Sequence, residues 1–142
     1  MNLSDKLLEL KKKGRIIFDK FVPYQELQYK IGSVDINIIP LQKHEFNECK
    51  SELKYFEASI VDTISVACNN EIYSNIIENG VDGFLSSEMD WFEKIEYIYK
   101  NYDKMDKIRE KAKEKCYNKY GNEKRLVEIT LLYDKIIESI GV

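Results

Sequence analysis

The 142-residue chain has few of the residues that mark several common classes of protein. It contains one histidine, two prolines and three cysteines, and no apolar run approaches the ~18 residues needed to cross a bilayer. The N-terminus also lacks the apolar core of a signal peptide. Because His44 is the single histidine, a His/Cys zinc site or a histidine-dependent nucleophilic mechanism is disfavoured. We therefore expect no metal site and no cofactor.

Charge and cysteine usage restrict the partners and the compartment. The 22 basic and 25 acidic residues give a net charge of −3, so we expect no nucleic-acid partner. Cys49, Cys68 and Cys116 form no C-x-x-C pair, which favours reduced thiols in a cytoplasmic protein. Three lysines at 11–13 leave open a peripheral position at the inner face of the membrane. A solvated helix end is the better interpretation of these lysines.

The length predicts a single domain, 1–142, with a core at about 15–85 and a helical tail at 87–140. β-branched and apolar runs predict strands at 15–18, 35–39, 64–68 and 84–85. Helical spacing predicts helices at 24–31, 50–60 and 72–78, and an N-terminal helix that ends at Gly14. In the tail, Ser87-x-x-Asp90 resembles a capping box that opens a helix. Two further helical runs carry apolar residues at helical spacing: Met105, Ile108, Ala112 and Cys116, then Leu126, Ile129, Tyr133, Ile136 and Ile140.

Short strands that alternate with helices predict an α/β fold, a Rossmann-like open parallel sheet flanked by helices with a helical C-terminal tail. Ligands of such sheets bind outside the carboxyl ends of the strands. The most polar of these loops follows Ile39 and leads to Lys50 and Ser51 at the next predicted helix start. With Lys54 one turn further on, this segment could hold an anion such as phosphate. The alternative is a charged, solvated helix start.

Two segments resemble the nucleotide-sugar-binding half of GT-B glycosyltransferases, nearest to the group 1 retaining enzymes. The first comprises residues 35–41 (DINIIPL) and 46–58 (FNECKSELKYFEA), which contain the Lys-Ser-x-x-Lys-x-x-Glu signature. The second is 79–85 (NGVDGFL) followed by Trp91, and Tyr133 matches a pattern near the family's C-terminal end. The resemblance covers most of the chain, from about residue 15 to 137, as one half of a GT-B fold.

The resemblance implies a donor-binding domain that moves a sugar from a nucleotide-diphosphate sugar to a glycan or lipid acceptor, as in the synthesis of cell-surface polysaccharides. Glu57 matches the family's second motif glutamate and would accept hydrogen bonds from ribose hydroxyls, for which a carboxylate is suited. The same resemblance implies that the diphosphate and sugar lie against four residues of the preceding loop and helix start: Phe46, Asn47, Lys50 and Ser51. It identifies no catalytic residue.

The chain also departs from the family pattern. Cys49 stands where the family has its first motif glutamate, and the first strand of this half and the acceptor-binding N-terminal domain have no counterpart in the sequence. A second interpretation is therefore a catalytically inactive Rossmann-like module that serves interaction or dimerisation. An open sheet edge where the first strand is missing would favour a homodimer.

Overall fold

A computed structural model describes residues 3–42 and 44–140, and it shows a mixed α/β fold with a helical C-terminal stretch. Three strands, Ile36–Ile39 (β1), Ile64–Cys68 (β2) and Phe84–Ser86 (β3), form a parallel sheet in the order β1-β2-β3. Ile36 pairs with Ile64, and Val66 pairs with Phe84. The predicted parallel α/β sheet flanked by helices is confirmed.

The helices flank this sheet and continue beyond its last strand. A short 3-10 turn, Tyr102–Lys104, separates the sixth helix from the seventh. Within the described residues the helices are Leu3–Lys12 (α1), Tyr24–Ile31 (α2), Glu45–Glu48 (α3), Leu53–Ser59 (α4), Glu71–Ser74 (α5), Trp91–Lys100 (α6), Asp106–Tyr120 (α7) and Asn122–Ile140 (α8).

The central strand β2 is buried on both faces, which explains why its residues are mainly apolar and do not alternate between buried and exposed. Ala67 faces one cluster and Val66 faces the other, and both are fully buried. The first cluster contains Ile39, Tyr55, Ala67, Tyr73, Ile77, Ala112 and Cys116, and the second contains Ile64, Val66, Phe84, Ile98, Met105 and Ile108. Helix α7 therefore contributes to both cores.

The strand predicted at 15–18 is wrong. This segment is irregular, and Ile17 and Phe18 are 80% and 68% exposed. A strand needs a neighbouring strand that accepts its backbone hydrogen bonds, whereas this segment and the residue after it contact α1 and α2 through side chains. Asp19 forms an ion pair with Lys30 of α2 at 2.7 Å, and the Lys11 ammonium lies 5.0 Å from the centre of the Phe18 ring. The buried sheet consequently begins at β1.

Other boundaries also differ from the sequence prediction. The helix predicted at 50–60 is α4, which is shorter, and the separate turn α3 precedes it. The helix predicted at 72–78 is limited to α5, and a turn closed by the hydrogen bond from the Val81 amide to Glu78 O follows before β3. Gly80 has a φ of +81°, a conformation that favours glycine. The predicted end of α1 is confirmed, since Gly14 has a φ of +67° and donates to Lys11 O at 3.0 Å.

Candidate ligand-binding cleft

An open cleft of about 870 Å³ lies at the carboxyl ends of all three strands. Three consecutive loops line it, and each follows one strand of the sheet. The lining residues are Pro40, Leu41, Gln42, Cys68, Asn69, Asn70, Glu71, Ser74, Ser86, Ser87, Glu88 and Trp91. Parallel α/β sheets bind their ligands at this edge, outside the carboxyl ends of the strands.

Backbone hydrogen bonds hold the loop after β2 against the end of β3. The amide of Asn69 donates to Ser86 O at 2.9 Å, and the amide of Asn70 donates to Cys68 O at 2.9 Å. The Asn70 side-chain oxygen then accepts from the Tyr73 amide at 3.1 Å and begins α5. These bonds fix the backbone on one wall of the cleft, while the exposed side chains of Asn69 and Glu71 stay available to solvent.

Asp90 organises the neighbouring loop, which follows β3. Its Oδ1 accepts hydrogen bonds from the Ser87 and Ser86 hydroxyls, each at 2.8 Å. These two bonds hold the pKa of Asp90 below its usual value, so the carboxylate stays ionised. The capping box predicted from Ser87-x-x-Asp90 is wrong, because the hydroxyl bonds the carboxylate and not the Asp90 amide. The hydroxyls of both serines before the helix donate to the same carboxylate. The sequence pattern alone does not show which group each hydroxyl bonds.

The lining favours a neutral, hydroxyl-rich ligand. Asn69 and Gln42 offer side-chain amides, and Glu71 and Glu88 offer carboxylates that can each accept from two neighbouring hydroxyls. Trp91 is half-buried and gives an aromatic surface. The described lining residues include no Lys or Arg.

The cleft thiol is not set up as a nucleophile. Burial raises the pKa of Cys68 above its ordinary value, which keeps the sulfur protonated and weakly reactive. Cys116 lies on the buried face of α7, and burial raises its pKa to about 11. Cys49 is exposed and follows α3. All three cysteines are free, as the sequence predicts.

Four of the residues singled out in the sequence lie beside the cleft or along the segment that leaves it. The Asn47 amide donates to the carbonyl of Gln42, a lining residue, at 2.8 Å. The Lys50 ammonium lies 4.9 Å from the centre of the exposed Phe46 ring. Ser51 is exposed just before α4. Phe46, Asn47 and Lys50 are therefore brought together next to the Gln42 rim, although none of them lines the cleft.

Lys54 and Glu57 lie further along α4. The Lys54 carbonyl accepts from the Asn37 side chain of β1 at 3.2 Å, and Glu57 follows about 4.5 Å further along the helix axis. Glu57 is half-buried, Lys54 is exposed, and neither lines the cleft. Their role in ligand binding stays a prediction.

Sequence reasoning missed most of the lining, including Asn69, Glu71 and Glu88. The signal was present, since the loop after Cys68 begins with two asparagines and a glutamate at the end of a predicted buried strand. The sequence instead predicted a ligand at the loop after Ile39, because that loop is longer and more strongly charged. In a parallel sheet, however, neighbouring strands end at the same edge and their loops act together.

Comparison with known proteins adds no family assignment. No protein-family model matches the chain, and no curated protein matches it either. Within residues 3–42 and 44–140, no cluster of His, Cys, Asp and Glu side chains has the size of a metal site. In the same part of the chain, no helix is long and apolar enough to cross a membrane. By its fold, the chain is therefore a parallel α/β domain with a polar cleft at the carboxyl edge of its sheet.

Proposed function

We propose that this chain is the donor-binding domain of a glycosyltransferase and binds a nucleotide-diphosphate sugar at the cleft. One observation carries the proposal: the cleft lies at the carboxyl ends of all three parallel strands and is lined by amides, hydroxyls, carboxylates and an indole. Its volume of about 870 Å³ lies within the ~300–1,000 Å³ range of small-molecule sites. The resemblance of 35–41 and 46–58 to group 1 GT-B enzymes names the ligand class.

The distribution of charge supports a division of the ligand between two areas. Glu71 and Glu88 favour hydroxyl groups and repel phosphate, so the sugar or nucleoside part occupies the cleft. The diphosphate lies towards Lys50, which is exposed beside the rim at Gln42. An ammonium group stabilises a leaving diphosphate in the same way that a metal ion does elsewhere. This arrangement agrees with a donor site that works without a metal.

The acceptor, a glycan or lipid, would be bound by a second domain. A GT-B active site is a cleft between two domains, and the cleft here is open. We infer that the donor is held on this chain in the cytoplasm and that transfer takes place when the acceptor domain covers the carboxyl edge of the sheet.

A second function, an inactive interaction module, is favoured by one observation. Cys49 is exposed in the segment between α3 and α4, at the position where the related family has a glutamate. A thiol cannot accept hydrogen bonds from a sugar as a carboxylate does. Under this alternative the fold is kept and the donor site is lost.

The test is a calorimetric titration with UDP, GDP and ADP, accompanied by tryptophan fluorescence. Trp91 is the single tryptophan of the chain and lines the cleft, so its emission reports on the cleft directly. The proposal predicts saturable binding of one diphosphate with a change in Trp91 emission, and weaker binding by Glu71→Gln. Absence of binding by all three at millimolar concentration would overturn it and favour the inactive module.

Two further variants separate the cleft from the family motif. Glu57→Ala is expected to weaken binding by about 1–3 kcal/mol, the usual cost of unpairing a charged hydrogen bond. Glu110→Ala, on the exposed side of α7, serves as the matched control and leaves binding unchanged. If Glu71→Gln loses affinity and Glu57→Ala does not, the cleft remains the proposed donor site and Glu57 takes no part in binding.

A further inference from the structure

The last helix, α8, leaves its whole apolar surface uncovered. None of its 19 residues is buried, and its apolar side chains are between 47% and 64% exposed. Most helical stability in proteins comes from packing an apolar face, and α8 buries none of its apolar residues. Its side-chain hydrogen bonds, from Thr130 and Ser139, return to the helix's own backbone. The structure therefore presents a helix that needs a partner.

The spacing of the apolar residues identifies the kind of partner. Leu126, Ile129, Tyr133, Ile136 and Ile140 are separated by three, four, three and four residues. This alternation is the a/d pattern of a coiled coil, in which a seam repeats every 3.5 residues and faces a second helix. Leu132 and Ile137 occupy the flanking g and e positions and widen the seam.

We propose that this seam pairs with the α8 helix of a second copy of the chain. A seam whose a, d and central flanking positions are all apolar is complementary to itself. In a parallel pair the g residue of one helix meets the e residue of the next heptad of the other, here Leu132 and Ile137. The charged side chains Asp134, Lys135 and Glu138 fall at the outer positions b, c and f, so like charges of two copies do not meet at the seam.

The area is sufficient for a specific pair. A buried Leu or Ile side chain removes roughly 60–120 Å² of apolar surface from water, so the seven seam side chains bury on the order of 600 Å² per copy. Specific interfaces bury about 600–1,000 Å² per partner. An exposed monomer seam of this size lies at the upper end of the ~300–600 Å² that the largest apolar patch of a soluble monomer usually covers.

The test is sedimentation equilibrium of the full chain with one seam variant and one matched control. The unmodified chain is expected to sediment at twice the monomer mass of 16.8 kDa. Ile129→Asp places a carboxylate in the seam at a residue that is 48% exposed, and is expected to weaken dimerisation at least about 30-fold. Leu131→Asp makes the same type of change at an equally apolar, 55% exposed residue of the outer f position, and leaves the dimer intact.

Circular dichroism confirms that both variants keep the folded body, since neither residue is buried. A chain that stays monomeric at high micromolar concentration would overturn the proposal. Equal loss of dimer in Ile129→Asp and Leu131→Asp would also overturn it, because the seam would not be the contact. Binding of a nucleoside diphosphate is independent of this result, so the two proposals are tested separately.

Discussion

Helices α7 and α8 follow one another in the chain and carry similar apolar spacing, but only α7 belongs to the core. In α7, Ile108, Ala112 and Cys116 recur every four residues and are buried. In α8, every side chain of the equivalent stripe is between 47% and 64% exposed, and none is buried. The comparison shows that apolar spacing identifies which face of a helix is apolar. Whether that face is buried within the same chain depends on the tertiary contacts of the helix.

Polar side-chain contacts are a second difference between α7 and α8. Lys113 forms an ion pair with Asp62 at 2.6 Å, and Lys115 bonds both the carboxylate of Asp82 and the carbonyl of Ile76. At the end of α7 the Tyr120 hydroxyl donates to Glu52, which precedes α4. These contacts attach α7 to three separate parts of the α/β body. The described contacts of α8 with the body are chiefly with α7, where Arg125 lies over the Tyr120 ring.

The largest expected effect comes from placing the same charge in each helix. Ala112 is 5% exposed within the first core cluster, so Ala112→Asp puts an unpaired carboxylate in an apolar environment. We expect a loss of about 3–5 kcal/mol in the free energy of unfolding, measured by urea denaturation. Leu131→Asp in α8 is expected to change it by less than about 0.5 kcal/mol. Equal losses in the two variants would show that α8 is part of the cooperative fold.

An intermediate effect is expected when α7 loses its link to the turn before β3. Asp82 is 3% exposed and also accepts from the Glu78 amide at 2.9 Å, so its carboxylate depends on the Lys115 ammonium. Lys115→Met should lower the free energy of unfolding by about 1.5–3 kcal/mol, with the exposed Lys111→Met as a neutral control. The double variant Lys115→Met/Asp82→Asn should lose less than the sum of its single changes. Simple additivity would indicate that the pair does not interact.

The smallest effect is a pH dependence at the end of α7. The hydrogen bond from Tyr120 lowers the pKa of Glu52 below its ordinary value of 4.5. A lowered carboxyl pKa gives stability that is present above about pH 4.5 and is lost as the pH falls through the lowered value. Tyr120→Phe should move the Glu52 pKa upward in an NMR titration and reduce the acid-induced loss of stability by less than about 1 kcal/mol. Tyr117→Phe, an exposed tyrosine of the same helix, should leave the titration unchanged.

The sequence predicted those helices and strands whose order of apolar and polar residues follows from which of their faces are buried. β2 is mainly apolar because it is buried on both faces, and the positions of α7 that enter the core follow directly from its spacing. The segment 15–18 shows the opposite case. Its composition is that of a strand, but a strand also needs a partner edge, and local composition carries no information about that partner.

The candidate site was predictable in its location and less so in its residues. The rule for parallel sheets indicates the carboxyl edge, and the cleft lies there. Its lining comes from the three strand ends and the loops that begin at residues 40, 69 and 87, and each loop taken alone reads as an ordinary polar connection. The parallel register of β1, β2 and β3 brings them together, and register is a property of the folded sheet.

The most direct test of the central claim is a two-dimensional NMR titration of the isotope-labelled chain with UDP, GDP and ADP. The account predicts saturable shifts for one diphosphate, largest at the backbone amides of Asn69 and Ser87 and at the Trp91 indole, all of which belong to the cleft. Amides of α8 should not respond. Saturable shifts away from the three strand ends, or no saturable shift with any of the diphosphates, would contradict the assignment of the cleft as a donor site.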